Sequence, residues 1–164
     1  MSLSFKKALI VAGLIPLAVI ATWFTLYAIG FRYYGIPTGS MEPIIMKNSH
    51  VFGRVSEGYR DNVNRFDVAV YERLGAGGVI YAKRIIGLGG EHIKIADRTI
   101  LINGKPLSLP KSINLDGLIL YPCDFTIPVD AVFILGDNTL NSLDSRQIGP
   151  IAKKDVLGKI FLRE

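Results

Sequence analysis

The chain has 164 residues, the length of one ordinary domain, with 49% hydrophobic and 20% charged side chains. A single cysteine, Cys123, excludes an internal disulfide, and His50 and His92 have no partner at metal-ligand spacing, which argues against a zinc site. The net charge of +5 comes from basic residues scattered among acids, which suits a solvated surface near anionic lipid and argues against a nucleic-acid partner.

The first predicted element is a membrane helix. Residues 8–31, "ALIVAGLIPLAVIATWFTLYAIGF", form a run of 24 residues without a charge. At about 1.5 Å per residue the run reaches roughly 36 Å, enough to cross a hydrocarbon core of about 30 Å with some tilt. Gly13 and Pro16 are tolerated in such helices, and Trp23, Tyr27, Tyr33 and Tyr34 suit an interface. A cleaved export signal would have a shorter apolar core and a small-x-small exit. The exit here, "TLYAIGFRYYG", has no such pattern, so the run reads as an uncleaved signal anchor. Lys6, Lys7 and the terminal amine outweigh Arg32, which keeps the N-terminus cytoplasmic and places everything after Arg32 outside. The expected organisation is residues 1–31 as cytoplasmic terminus and single-pass anchor in the cytoplasmic membrane, and residues 32–164 as an extracytoplasmic domain.

"GIPTGSMEPII", residues 35–45, follows the anchor. Turns of Pro, Thr, Gly and Ser are common connectors. This one gains chemical meaning only if a basic side chain elsewhere can take the proton of Ser40. Beyond it the hydrophobic period is two. "HVFGRV", "DVAVYE", "VIYAKRII", "HIKI", "TILI", "FTI" and "AVFIL" are short β-branched or aromatic runs between Gly, Pro, Asn and Asp, and they read as strands. Asn103-Gly104 in "TILINGKPL" marks a hairpin. "AKKDVLG" reads as a short helical turn stopped at Gly158. The fold class expected is mainly β: a compact antiparallel β-sheet domain on a single N-terminal transmembrane helix.

Within the strand "VIYAKRIIG", Tyr81, Lys83 and Ile85 share one face, and Ala82, Arg84 and Ile86 the other. Lys83 admits two readings. It snorkels outward from an edge strand, or its ammonium is desolvated among aliphatic neighbours. Desolvation lowers a lysine pKa and leaves a neutral amine able to accept a proton. "FILGDNTLNSLDSRQIGPI" then leaves an apolar strand for a loop carrying Asp137, Asn138, Ser142, Asp144, Ser145 and Arg146. These either close turns, with Asp144 and Arg146 an idle surface pair, or build a hydrogen-bonded shell around a site.

"GSMEPII" around Ser40, "YAKRIIGLGGEHI" around Lys83 and "LGDNTLNSLDSR" around Asp144 resemble, in order and separation, the motif boxes of bacterial type I signal peptidases. The resemblance covers nearly the whole chain, and "VAVYE" and "ILINGKPLSLP" resemble the connecting strands of that family. It implies a membrane-bound serine endopeptidase that cleaves signal peptides from exported preproteins without a cofactor. Ser40 then matches the nucleophile and Lys83 the general base. The Ser40 amide and the Thr38 hydroxyl match the oxyanion donors, and Ser142 the serine that orients the lysine amine. Asp144 and Arg146 match a supporting salt bridge, and Tyr81 a wall of the pocket for small substrate side chains. The implied chemistry is acyl transfer through an acyl-enzyme.

The chain departs from the family pattern at Thr139 and Leu140, where Arg often follows "GDN", and at residues 86–90, "IGLGG", where "GLPG" is common. Neither touches Ser40 or Lys83, so subfamily is affected more than activity. A lysine base, in place of histidine, suits a bacterial type. Two other readings stay open: a conjugation-type peptidase maturing one pilin precursor, and a non-catalytic membrane-tethered β binding module. A soluble autocleaving repressor-type protease would share the dyad but has no use for residues 8–31. Oligomeric state is not legible at this level.

Overall fold

The computed structural model describes residues 3–72 and 80–162, with side chains described from residue 12 onward. The chain divides into two compact units, Met1–Arg32 and Tyr33–Glu164.

The first unit is helix α1, Leu3–Ala28, which runs through Pro16 without interruption. Leu14, Ile15, Leu17, Val19, Ile20, Trp23, Phe24 and Tyr27 are all exposed, so the helix has no single apolar stripe and is apolar around its girth. Thr22 and Thr25 donate their hydroxyls back to Ala18 O and Ala21 O at 2.8 Å, which satisfies those groups within the helix. At the C-terminal end the guanidinium of Arg32 donates to Tyr27 O at 2.7 Å and lies over the Tyr27 ring, 3.8 Å from its centroid. Over the described side chains alone, no helix is long and apolar enough to cross a membrane. The side chains of residues 8–11 of the expected span, and those of Lys6 and Lys7 that set its direction, lie outside the described set.

The second unit is antiparallel β, as expected. In chain order come β1 (Phe31–Ile36), β2 (Ser49–Val55), β3 (Val68–Glu72), β4 (Ile80–Gly87), β5 (His92–Ala96), β6 (Thr99–Ile102), β7 (Lys105–Pro106), β8 (Cys123–Thr126), β9 (Ala131–Leu135), helix α2 (Ser145–Ile148), β10 (Ile151–Ala152) and β11 (Val156–Ile160). Among the described residues a seven-stranded sheet runs β1-β2-β11-β3-β4-β9-β10, and a four-stranded sheet runs β7-β6-β5-β8. Val79, in one of the expected strand runs, lies outside the described residues. Asn103 and Gly104 take φ of 51° and 76°, the paired positive values that a two-residue hairpin with the strand twist requires.

Ile86, Phe133 and Leu135 of the large sheet pack with Ile93, Ile95, Ile100 and Ile102 of the small one. On the large sheet, Ala69, Tyr71, Ile85 and Ile134 form one buried cluster, and Val68, Val70, Ala82 and Ile160 form another with Met41 and Ile45. The alternation along β3 and β4 sorts these residues between the two faces.

One expected element is different. The turn in "AKKDVLG" is a 3₁₀ turn over Lys153–Asp155, and Gly158 does not stop it. Gly158 lies inside β11, opposite Val55 of β2 and Val70 of β3. A Cβ there would come 1.9 Å from Arg54 O, so the glycine serves close approach of two strands.

Candidate active site

The register of β4 opens the site. β3 pairs along β4 from Val68↔Arg84 to Glu72↔Ile80, with Ala69 opposite Lys83. On the other edge the β9 register runs from Arg84 to Gly87 and does not reach Lys83. The chain beyond Leu135 turns off into residues 136–144, and the Ser40 turn approaches there. Gly136 lets the two segments meet: a Cβ on it would stand 2.2 Å from Ser142 Oγ and 2.6 Å from Ser40 O.

The turn itself is pinned by its apolar neighbours. Met41 and Ile45 are buried on either side of Glu42-Pro43-Ile44, and Ile45 N donates to Met41 O at 3.0 Å. Burying those two side chains holds Ser40 in the gap beside β4. Lys83 Nζ lies 2.6 Å from Ser40 Oγ and 3.3 Å from Ala82 O. Lys83 is only 3% exposed, which removes the outward-snorkelling reading: the open edge of β4 faces the Ser40 turn and not solvent. Burial lowers the amine pKa from 10.5 to about 8, against the opposing pull of the Asp144 carboxylate. A neutral amine within hydrogen-bond reach of a hydroxyl can accept its proton.

Thr38 is exposed, and its Oγ1 stands 3.2 Å from Ser40 Oγ. Ser142 is buried at the same place in the fold, but its hydroxyl has no hydrogen-bond partner and does not bond to Lys83. Tyr81 is half-buried on the Lys83 face of β4 and stacks on Tyr71 with ring centroids 5.6 Å apart.

Asp144 and Arg146 are not an idle surface pair, since both side chains are fully buried. Arg146 Nε donates to Asp144 Oδ1 at 2.8 Å and Nη2 to Oδ2 at 3.0 Å, a bidentate fork. The remaining donors reach Gly117 O at 2.6 Å and Thr139 O at 2.8 Å. Asp144 also caps α2, in a reciprocal box with Gln147, and accepts from Gly136 N at 3.0 Å. A buried ion pair is retained only when its charges and lone pairs are matched in this way. One carboxylate thus holds the arginine, the first turn of α2 and the glycine beside Ser40.

A second buried pair escaped sequence reasoning. Arg84 donates from Nε to Asp137 Oδ1 and from Nη2 to Oδ2, both at 2.8 Å, and from Nη1 to Phe66 O at 2.8 Å. Ser112 adds a hydroxyl donor to Asp137 Oδ2 at 2.6 Å. The available signal was a second cation directly after Lys83 in an apolar strand, which demands an acid from elsewhere. A cavity of about 890 Å³, lined by Ile44, Val51, Val68, Arg84, Lys159 and Phe161 among others, has neither Ser40 nor Lys83 in its wall.

The sequence matches the family of signal peptidase, peptidase S26, over residues 7–163. Signal peptidase I of Bacillus amyloliquefaciens is 33% identical over 166 residues, spanning 95% of this chain and 84% of that protein. Signal peptidase I S of Bacillus subtilis (strain 168) is 31% identical over 166 residues, spanning 95% and 85%. The crystal structure of a signal peptidase I from Enterococcus faecalis V583 is 32% identical, covers 60% of this chain and 96% of its own, and superposes with a TM-score of 0.47. The family match and the two Bacillus relatives define a hydrolase of the serine endopeptidase class. The chain belongs to the signal peptidase family, peptidase S26.

Proposed function

We propose that this protein is a type I signal peptidase that removes signal peptides from exported preproteins through a dyad of Ser40 and Lys83. The observation that carries the dyad is the 2.6 Å separation of Lys83 Nζ and Ser40 Oγ in a buried setting that lowers the amine pKa to about 8. As Ser40 Oγ attacks the scissile carbonyl, its proton passes to Nζ. The oxyanion is met by the Ser40 N–H and the Thr38 hydroxyl. The ammonium of Lys83 returns the proton to the leaving amine, and an acyl-enzyme remains. Neutral again, Nζ takes a proton from water, whose oxygen attacks the ester carbon; the acyl C–Oγ bond then breaks as Nζ returns that proton to Ser40 Oγ, and the peptide is released as its carboxylic acid.

Asp144 favours the transient ammonium, and the Asp144–Arg146 fork keeps that carboxylate in place. The resemblance gives Ser142 the role of orienting the amine; here its hydroxyl is buried without a partner, and a rotation toward Nζ on substrate binding would be needed for that role. Tyr81 forms a wall of the pocket for small side chains at the first and third positions before the cut. The substrate lies extended beside β4 as an added strand. Incubating the purified enzyme with a panel of preproteins and sequencing the new N-termini tests this reading. Cleavage after small-x-small in several preproteins supports a general enzyme, and cleavage of a single pilin precursor would replace it with the dedicated one.

The pH profile carries the dyad's sign. Lys83 must be neutral, so kcat/KM is expected to rise with pH and level off above about 8. Below that midpoint the rate should fall about tenfold per pH unit. Activity flat down to pH 6 would rule out a lysine base with this pKa.

α1 is the membrane anchor in this reading, with residues 32–164 as the extracytoplasmic peptidase domain. Its support is the exposed apolar surface on every side of the helix, which suits a lipid environment. Protease added to intact spheroplasts is expected to digest the domain after Arg32. Protection that persists until lysis would reverse the orientation.

A further inference from the structure

Lys83 and Ser40 are joined by a second path through the fold. Arg84 follows Lys83, and it grips Asp137 through two bonds of 2.8 Å. Asn138 follows Asp137, and it donates twice to the turn that carries Ser40. Its backbone N–H reaches Ser40 O at 3.1 Å, and its Nδ2 reaches Gly39 O at 3.2 Å. With the 2.6 Å contact between Lys83 and Ser40 the path closes into a ring.

The side chain of Asn138 has been diverted. It occupies the N-cap of the 3₁₀ turn Thr139–Asn141, where an asparagine ordinarily accepts from its own turn, yet it makes no cap bond there. It reaches instead to a carbonyl 99 positions away in sequence. The consequence follows from peptide geometry. The Gly39–Ser40 peptide is planar and trans, so its C=O and N–H point in opposite directions. Anchoring Gly39 O therefore aims the N–H of Ser40. Glu42 N also donates to Gly39 O, at 3.3 Å, but it belongs to the same turn and moves with it. Asn138 ties the peptide to β4 through Asp137 and Arg84.

We propose that Asn138 is a positioning residue that sets the direction of the Ser40 N–H toward the developing oxyanion. This rests on the reading of Ser40 as nucleophile. Asn138 touches neither substrate nor reacting atoms, and it acts through the Gly39–Ser40 peptide. Its removal should weaken binding of the tetrahedral state and leave ground-state binding and the Lys83 titration alone.

The test uses the full-length enzyme in detergent with Asn138→Ala, which removes the side-chain donor, and Asn138→Asp, which keeps the volume and replaces the donor with an acceptor. Rates are normalised to folded protein by circular dichroism. Two ligands are compared: a substrate-derived peptide aldehyde, which adds to Ser40 as a hemiacetal, and the same peptide ending in an unreactive amide. The expected result is a fall in kcat of about tenfold or more for the alanine variant, and a larger one for the aspartate, below the 10²–10³ of a fully lost oxyanion donor. Aldehyde affinity should fall by the same factor, with amide affinity and the acid limb of the pH profile unchanged. A role confined to holding the loop would lower thermal stability without changing the aldehyde-to-amide ratio, and that result would overturn the proposal. A shifted acid limb would overturn it as well, by routing the effect through Lys83. If the aldehyde fails to add to Ser40 of the wild type, the dyad reading falls with it; if it adds equally well to wild type and the alanine variant, only the role of Asn138 falls.

Discussion

Ser40→Ala and Lys83→Met are each expected to abolish cleavage, leaving no turnover above that of buffer. In the proposed dyad the two residues act as one unit, so the double variant should be no slower than either single one. The lysine variant also has a stability signature. In the folded protein the amine pKa is lowered from 10.5 to about 8, so the folded state resists carrying that proton. At about 1.4 kcal/mol per pH unit this penalty is on the order of 3 kcal/mol. It is fully present below about 8 and is relieved as pH rises toward 10.5, because the unfolded chain binds the extra proton throughout that window. Lys83→Met removes the penalty. It should therefore melt above the wild type at pH 7, and the difference should shrink as pH approaches 10.5. An inactive variant that melts lower at neutral pH would mean that Lys83 supports the fold and not the chemistry.

Thr38→Val is the second large effect expected. The hydroxyl of Thr38 stands 3.2 Å from Ser40 Oγ, and the residue is exposed. Valine keeps the β-branched shape and removes only the donor. Losing one oxyanion donor typically costs on the order of 10²–10³ in kcat, roughly 3–4 kcal/mol. The bond strengthens in the tetrahedral state, so KM should change little. Thr38→Ser keeps the hydroxyl and should retain most activity. If Thr38 merely shapes the turn, the valine enzyme should work about as well as the serine one. Measuring kcat for both variants on one peptide separates the two roles.

The strands were legible because they are short β-branched or aromatic runs whose boundaries carry Gly, Pro, Asn or Asp. Asn103-Gly104 was legible because few residue pairs accept two successive positive φ angles. The identity of Lys83 as a candidate base was legible, but its burial was not. A lysine in an alternating strand is equally compatible with an edge facing water. What decides is where β9 stops pairing with β4, and register between strands about fifty residues apart leaves no local trace. The same holds for Arg84 and Asp137, which are 53 positions apart and find each other only after the sheet has formed. For Asp144 and Arg146 an idle surface pair and a bonded shell both stayed open, because spacing alone says nothing of the chain that covers them. Gly158 misled for a related reason: a glycine after a polar turn resembles a helix stop, and a close approach by Arg54 O is invisible before β2 and β11 are paired.

In the proposed mechanism Ser40 is activated by the neutral form of a lysine amine whose pKa burial lowers to about 8. The most direct measurement is the pKa of Lys83 itself, read by NMR from its Cε shift in detergent-solubilised enzyme and assigned with Lys83→Met. The account predicts a midpoint near 8, coincident with the acid limb of kcat/KM. A midpoint near the ordinary 10.5, or one well separated from that limb, would contradict it.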